Sequence, residues 1–274
     1  MTGRLERVFV RRPGDVSRWR EFGWRSAPDA KRIAEEHEAF VAALAAAGAD
    51  IVVGEPLDGA LDAIYVHDPA AVTSAGAVLL RPGKDVRRVE VDAIERDLRA
   101  AGVDVIARLS GNQHAEGGDM LWLDDTTLVV GRGYRTNDAG IEALRRALPN
   151  AKVFAVDLPH YHGRDEVMHL LSLISPVDVD LAVVYLPLMP VRLVELLESR
   201  GIEFVEVPDE EFESMACNVL ALGDRRALML DGNPVTRRRL EAAGIDAVVY
   251  SGDELSRKGD GGPTCLTRPL SRTA

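Results

Sequence analysis

One pattern of apolar and polar positions recurs five times along the chain: a helical stretch, a Gly or Asn stop, then a short apolar strand. The copies are AAAGADIVV (45–53), RAAGVDVIA (99–107), RALPNAKVFAV (146–156), ESRGIEFVEV (198–207) and EAAGIDAVVY (241–250). Their stops, Gly48, Gly102, Asn150, Gly201 and Gly244, lie 54, 48, 51 and 43 residues apart. A residue that tolerates positive φ is what closes a helix before a strand. Upstream of the stops, apolar residues stand three and four apart: Ile33, His37, Phe40, Val41 and Leu44, then Val91, Ile94 and Leu98, then Ile141, Leu144 and Leu148. Asn137, and Asn233 followed by Pro234, are expected helix starts.

Two strand-like runs precede four of the helices: AIYVHDPAAV with AVLLRP, DMLWLDD with TTLVVG, HLLSLISPVD with LAVVYLP, and CNVLALGD with RALMLDG. The first unit has only ERVFVRRP, so a circular arrangement that borrows its missing strand from the C-terminus is expected. The predicted fold is α/β, a single domain over residues 1–274 of five ββαβ units packed into a closed ring. Helices would lie outside and strand ends would converge on a central channel. Residues 270–274 are expected to be a frayed tail.

Composition narrows the function. With 274 residues, 46% apolar and 28% charged, the chain can bury a large core. A net charge of −11 argues against a nucleic-acid partner and suits a cationic small substrate. Two cysteines, Cys217 and Cys265, are too few for a disulfide framework, and no basic-then-apolar leader opens the chain, so a cytoplasmic location is expected. The longest apolar runs, such as LAVVYLPLMPV (181–191), fall well short of the ~20 residues a membrane helix needs. No Gly-rich phosphate loop is present, since GRGYRTN lacks the GxGxxG spacing, and no cofactor is expected.

Chemistry concentrates in GDGGPTCLTRP (259–269). A structural cysteine usually sits inside a strand or helix, as Cys217 does in its apolar context, whereas Cys265 lies in a Gly-rich loop. The amides of Gly259, Gly261 and Gly262 are placed to stabilise a thiolate, although an exposed, unimportant thiol fits the loop equally well. His160 and His162 alternate as metal ligands on a strand would, but no third ligand stands at a sensible spacing, and no metal is expected. His114 reads as a loop residue, His67 as facing away from Asp68 on a strand, and the arginines at 237–239 as a solvated helix face.

The late GGxxCLTxPL cysteine, an EGGD motif (116–119), a GxxxRTN run (131–137) and the His169–Leu170 pair, on a fivefold ββαβ pattern, resemble the guanidine-modifying or pentein superfamily. Within it the chain is most similar to dimethylarginine dimethylaminohydrolases and arginine deiminases, nearly end to end. The resemblance implies a cysteine hydrolase of arginine or methylated arginine, giving citrulline and an amine or ammonia through a covalent thiouronium. Cys265 would be nucleophile, His169 general acid and then base, Glu116 an acceptor from the guanidinium that also fixes its neighbours, and Asp68 an acceptor from the other guanidinium nitrogens. Arg87 and Arg135 would hold the substrate carboxylate, with Arg88 an alternative to Arg87 and Arg132 an auxiliary to Arg135. Leu171 stands where arginine deiminases carry aspartate, which favours the dimethylargininase-like branch. The segment EFGWRSAPD (21–29), with Trp19 before it, is either a lid or the first connection packed on the ring. An amidinotransferase and a noncatalytic binding ring are the alternatives. A homodimer is compatible with such a ring, though nothing in the chain requires it.

Overall fold

The computed structural model describes residues 1–163 and 168–273. Its strands form five three-stranded sheets. The first unit contains β1 (Leu5–Arg11), the one-turn helix α1 (Trp19–Phe22), α2 (Ala30–Ala46) and β2 (Asp50–Gly54). The second is β3 (Ala70–Thr73), β4 (Gly76–Leu79), α3 (Val89–Ala100) and β5 (Val105–Arg108). The third is β6 (Met120–Asp124), β7 (Thr127–Arg132), α4 (Asp138–Ala147) and β8 (Lys152–Asp157). The fourth is β9 (Ile174–Asp178), β10 (Leu181–Val184), α5 (Val191–Ser199) and β11 (Glu203–Glu206). After α6 (Asp209–Phe212), the fifth comprises β12 (Val219–Gly223), β13 (Arg226–Leu230), α7 (Pro234–Ala242) and β14 (Asp246–Tyr250), and β15 (Arg268–Arg272) ends the chain.

In the second to fifth units an antiparallel hairpin is followed by a helical crossover to a parallel third strand, the connection that parallel pairing demands. The middle strands β4 and β10 are buried along their whole length, as their unbroken apolar runs GAVL and LAVV require. β1 pairs with β2 in parallel and with β15 antiparallel, so the first unit takes its missing strand from the C-terminus. This corrects the expected frayed tail. Residues 270–272 belong to β15, whose Arg272 stands opposite Leu5, and Thr273 donates its amide to the Arg4 carbonyl at 3.0 Å; Ala274 lies outside the described residues.

The units close on one another in a ring. β15 lies against β3, Arg81 bridges to Ala115, β6 meets the turn before β9, β9 lies against β12, and β12 against β1. The helix stripes fall where the spacing put them, with Ile33, Phe40, Leu44, Ile94, Leu98, Ile141 and Leu144 all buried. Gly48, Gly102, Gly201 and Gly244 have φ of 96°, 79°, 70° and 83°, so four stops use the left-handed region. Asn150 does not. There Pro149 pushes Leu148 off the helix, to φ −122°, before the stop is reached.

Asn137 caps α4 as expected, accepting the Gly140 amide at 2.9 Å. Asn233 does not cap α7 with its side chain. The Glu211 carboxylate of α6 takes the Val235 and Thr236 amides at 2.7 and 2.8 Å, while Asn233 is spent on Ser214 and nearby carbonyls. Residues 65–69, read as part of a strand, form a loop that leads into β3.

Candidate active site

The chemistry-bearing side chains occupy one equivalent place in the fold. Asp68 precedes β3, Glu116 precedes β6, His169 precedes β9, Asn218 precedes β12, and Cys265 precedes β15. Each therefore stands just ahead of the first strand of its unit. The ring turns these five positions toward one another.

His169 and Glu116 meet at 2.7 Å, Nε2 to Oε2. The other Glu116 oxygen accepts the Gly83 amide and Arg135 Nε, both at 2.8 Å. Asp68 accepts the Gly118 amide at 2.9 Å and Arg87 Nη1 at 2.6 Å. One ligand atom from each of Asp68, Glu116 and His169 lies within 4.8 Å of the other two, and among the described residues this is the one such trio. Its oxygens are already committed to Arg87, Arg135 and backbone amides, an environment that suits a planar cation donating hydrogen bonds better than a bare metal ion. The glycines of the EGGD motif are there for close approach. A Cβ on Gly118 would lie 2.5 Å from His169 Nδ1, and one on Gly117 would lie 2.0 Å from the His67 carbonyl oxygen.

Charge sets the protonation states. Burial opposes a proton on His169, but the carboxylates of Asp68, Asp119 and Glu116 outweigh it and raise its pKa to about 8. Burial works against ionised Asp68 too, yet His169 and Arg87 hold its carboxyl well below the usual range. Arg135, followed by His169, does the same for Glu116. Further out the acids outnumber their partners. Burial holds Glu90 up at about 7 and Asp119 at about 6, and it raises Asp62 as well. The carboxyl groups of Asp62, Asp68, Glu90, Glu116 and Asp119 thus share four cations, Arg87, Arg135, His169 and Lys84. The site is short of positive charge.

Cys265 is partly exposed, at the end of a loop that fits only because three of its residues lack a side chain. A Cβ on Gly259 or Gly261 would lie 2.1 Å from the Tyr65 ring or its hydroxyl, and one on Gly262 would lie 2.5 Å from Asn218 Cγ. The Cys265 carbonyl accepts the His67 amide at 3.2 Å, which ties the loop to the one carrying Asp68. Burial and the Asp68 charge push the thiol up to about 11, against the donors Asn218 Nδ2, at 3.2 Å from Sγ, and the Gly262 backbone. Of the three glycine amides expected to support a thiolate, Gly262 does so, while Gly259 and Gly261 make room for Tyr65.

Sequence reasoning missed Asn218 and Asp119. Asp119 is fully buried and accepts Thr136 Oγ1 at 2.6 Å and the Leu170 amide at 3.0 Å, which fixes the turn after His169. Counting from the first strand of each unit would have found Asn218.

Arg87 and Arg135 both reach the site, in different ways. Arg87 gives Nε and Nη2 to Glu90, Nη1 to Asp68, and Nη2 also to the Tyr65 carbonyl, and it is 3% exposed. Most of its N–H groups hold Glu90, Asp68 and the Tyr65 carbonyl. Arg135 gives only Nε to Glu116 among the described residues. Arg88 pairs with Asp85, and Arg132 is a half-exposed surface residue bound to Asp138 and Asp157. His160 bonds the Tyr134 hydroxyl at 2.8 Å, and His114 fixes the start of α4 through its carbonyl. His67, on a loop rather than a strand, is buried with Nδ1 on the Thr267 carbonyl at 3.0 Å, and Cys217 is core. The segment after Trp19 packs as a connection: Trp24 is 4% exposed, donates to Asp62 at 2.7 Å and stacks on Tyr65.

The chain is similar to known proteins. A family model described as N,N dimethylarginine dimethylhydrolase, eukaryotic, matches residues 23–272. The N(G),N(G)-dimethylarginine dimethylaminohydrolase of Streptomyces coelicolor is 32% identical over 235 residues, 85% of this chain and 84% of that protein. A structure of the Pseudomonas aeruginosa enzyme, a cysteine-to-serine mutant complexed with citrulline, superposes with a TM-score of 0.81 at 25% identity, covering 96% of this chain and 98% of that one. The product-bound N-terminal domain of ArgZ, a cyanobacterial arginine dihydrolase, shares the fold with a TM-score of 0.83 at 19% identity, covering 97% of each chain.

Proposed function

The chain belongs to the N,N-dimethylarginine dimethylaminohydrolase family, hydrolases of C–N bonds in linear amidines, and from that premise we propose that it hydrolyses the guanidinium of arginine or a methylated arginine through a covalent intermediate on Cys265. The observation that carries this reading is the pairing of His169 with Glu116 at 2.7 Å beside Asp68, whose charge in turn acts on the Cys265 thiol. A guanidinium supplies the missing cation. Asp68 and Glu116 accept its N–H groups and hold its plane for attack at the central carbon.

The proton inventory is consistent with this chemistry. Before substrate arrives the thiol is protonated, with a pKa near 11, and His169, with a pKa near 8, carries a proton at neutral pH. A cation placed between Sγ and Asp68 cancels the charge that keeps the thiol neutral and favours the thiolate, the thiol proton passing to solvent. Sγ then bonds the guanidinium carbon, the C–N bond to the leaving amine breaks, and His169 gives that nitrogen its proton. In the second half His169 takes a proton from water, whose oxygen adds to the same carbon. The C–S bond breaks, restoring the thiolate, and the second proton of the water passes to solvent as the ureido product leaves.

The test is incubation of the purified protein with arginine, monomethylarginine and dimethylarginine, assaying ureido product and released amine, with Cys265→Ser alongside. Citrulline from one of them, abolished in the folded variant, is the expected result. Turnover by Cys265→Ser would end the mechanism. Product only in the presence of glycine or lysine, as a new guanidino compound, would replace hydrolysis with amidino transfer.

A further inference from the structure

Glu90 is a buried carboxylate in the first turn of α3 that the proposed chemistry does not use. Both of its oxygens are taken by one side chain. Oε1 accepts Arg87 Nε at 2.9 Å and Oε2 accepts Arg87 Nη2 at 2.8 Å, the two-pronged geometry in which a guanidinium and a carboxylate fit each other best. The third nitrogen of the same guanidinium, Nη1, donates to Asp68 Oδ2 at 2.6 Å. Glu90, Arg87 and Asp68 are thus a buried row of acid, base and acid, with Arg87 in the middle. A third acid, Asp62, stands off from it: its Oδ1 accepts the Trp24 indole at 2.7 Å and its Oδ2 lies 3.8 Å from Arg87 Nε.

Asp68 is asked to hold two cations. The substrate guanidinium is to donate to it, yet a guanidinium of the protein already does, and like charges on one buried carboxylate repel far more than they would in water. Asp68 and Arg87 alone would be a neutral pair with little attraction for a further cation. Glu90 changes that balance. Bound fork to fork, it cancels the charge of Arg87, so the row as a whole carries one net negative charge and that of Asp68 remains for the ligand. Asp68 also keeps room for it, since Oδ1 accepts the Gly118 amide and Oδ2 accepts Arg87, and each carboxylate oxygen takes two hydrogen bonds.

We propose that Glu90 is a positioning residue of the guanidinium site: by fixing Arg87 and cancelling its charge it leaves Asp68 to hold a cation, and so makes the site select a charged guanidinium over a neutral urea. The assignment rests on the guanidine-hydrolase reading for the identity of the ligand. It also gives product release a physical cause. Hydrolysis turns a cationic head group into a neutral ureido group, and the attraction that the row supplies is lost at the step where the product must leave.

The experiment is calorimetric titration of Cys265→Ser with arginine and with citrulline, which share their amino acid end and differ in the charge of the head group. It is run at roughly pH 8.5, above the value of about 7 to which burial raises Glu90. The titrations are repeated with Glu90→Gln added, and again with Arg87→Gln and Glu90→Gln together. Glu90→Gln is expected to lower the ratio of arginine to citrulline affinity by at least about tenfold, the effect of uncovering one buried charge, and to leave citrulline within about twofold. The double variant removes the uncovered cation as well, so most of the ratio is expected to return even where both ligands bind more weakly. Equal weakening of both ligands by Glu90→Gln, as a merely structural role would give, or a ratio that the double variant does not recover, overturns the assignment while leaving the hydrolase intact. A ratio that falls and recovers as stated, in a protein that turns over no guanidine, would keep the role of Glu90 and remove the hydrolase.

Discussion

Asn218 offers a direct test of how the thiol is tuned. Its Nδ2 donates to Cys265 Sγ at 3.2 Å and its Oδ1 accepts the Thr264 amide at 3.0 Å, so one side chain both shapes the loop and faces the sulfur. A hydrogen bond to a charged acceptor is worth about 1.5–3 kcal/mol, and each 1.36 kcal/mol of difference between protonation states moves a pKa by about one unit. Asn218→Ala removes the donor that partly offsets burial and Asp68, so the thiol, already up at about 11, rises by about one to two further units. Asn218→Asp keeps an acceptor for Thr264, loses the donor and adds a negative charge, so its effect is larger.

The assay is the initial rate of iodoacetamide alkylation at Cys265, followed by mass spectrometry of its peptide between about pH 8 and 10, where the rate tracks the small thiolate fraction. Cys217 serves as an internal reference, since it is buried and its thiol is pushed far up. The rate at Cys265 is expected to fall about 10- to 100-fold in Asn218→Ala and further in Asn218→Asp, with folding checked by thermal melting. Unchanged rates in both variants would refute the argument that this amide stabilises the thiolate. A faster rate in Asn218→Asp would show that the side chain acts as a shield over the sulfur.

Other consequences are as specific. Gly118→Ala places a methyl 2.5 Å from His169 Nδ1, and turnover is expected to drop at least about 100-fold, the contribution of a positioned general acid, in a protein that still melts cooperatively; near-normal kcat would mean that His169 has room to move. Burial lowers His67 to about 3 and His37 to about 4, so below an unfolded pKa near 6.5 the unfolded chain binds the extra protons and stability falls as pH drops toward those values. His67→Asn is expected to flatten the acid limb by up to about 1.4 kcal/mol per pH unit in urea titrations, and an unchanged slope would remove His67 from the account. His169 works with the opposite sign: its raised pKa stabilises the fold below about 6.5, and that share is lost as pH rises through about 8. Finally, a guanidinium beside Asp68 lowers the pKa values of Glu90, Asp119 and His169, so arginine binding to Cys265→Ser near neutral pH releases protons, measured by calorimetry in buffers of different ionisation enthalpy; net uptake would contradict the charge inventory.

The repeat was legible in the sequence because its signals are local. A glycine that must take positive φ and a stripe at helical spacing are visible without the partner they pack against. Cys265, His169, Glu116 and Asp68 could be placed because their motifs match a family, and the fold brings the last three together. What the sequence hid depends on distance along the chain. Arg87 and Arg135 sit in similar basic surroundings, and only the fold gives one three acceptors and leaves the other's Nη groups open. Lys84 reads as a surface lysine after a Pro-Gly turn until α1 is laid across it. Asn233 has the composition of a cap, yet Glu211, 22 positions earlier in the chain, takes its task. The terminal strand was misjudged because a short polar end looks frayed unless its partner, 267 residues away at Leu5, is known.

The site and the closure of the ring are one set of bonds. Gly118 donates across to Asp68, His169 pairs with Glu116, Val219 donates to Ser175 Oγ, Asn218 donates to Cys265, and the His67 amide donates to the Cys265 carbonyl. Those contacts join the second unit to the third, the third to the fourth, the fourth to the fifth, the fifth to the first, and the first to the second. Each junction is thus held by a site residue or its immediate neighbour. This explains why the nucleophile stands at the far end of the chain. The place ahead of the first strand in unit one belongs to β15, so the residue that fills it reaches Asp68 only once the C-terminus has paired with β1. A thiol placed this way meets the carboxylates of the second and third units only in the closed ring.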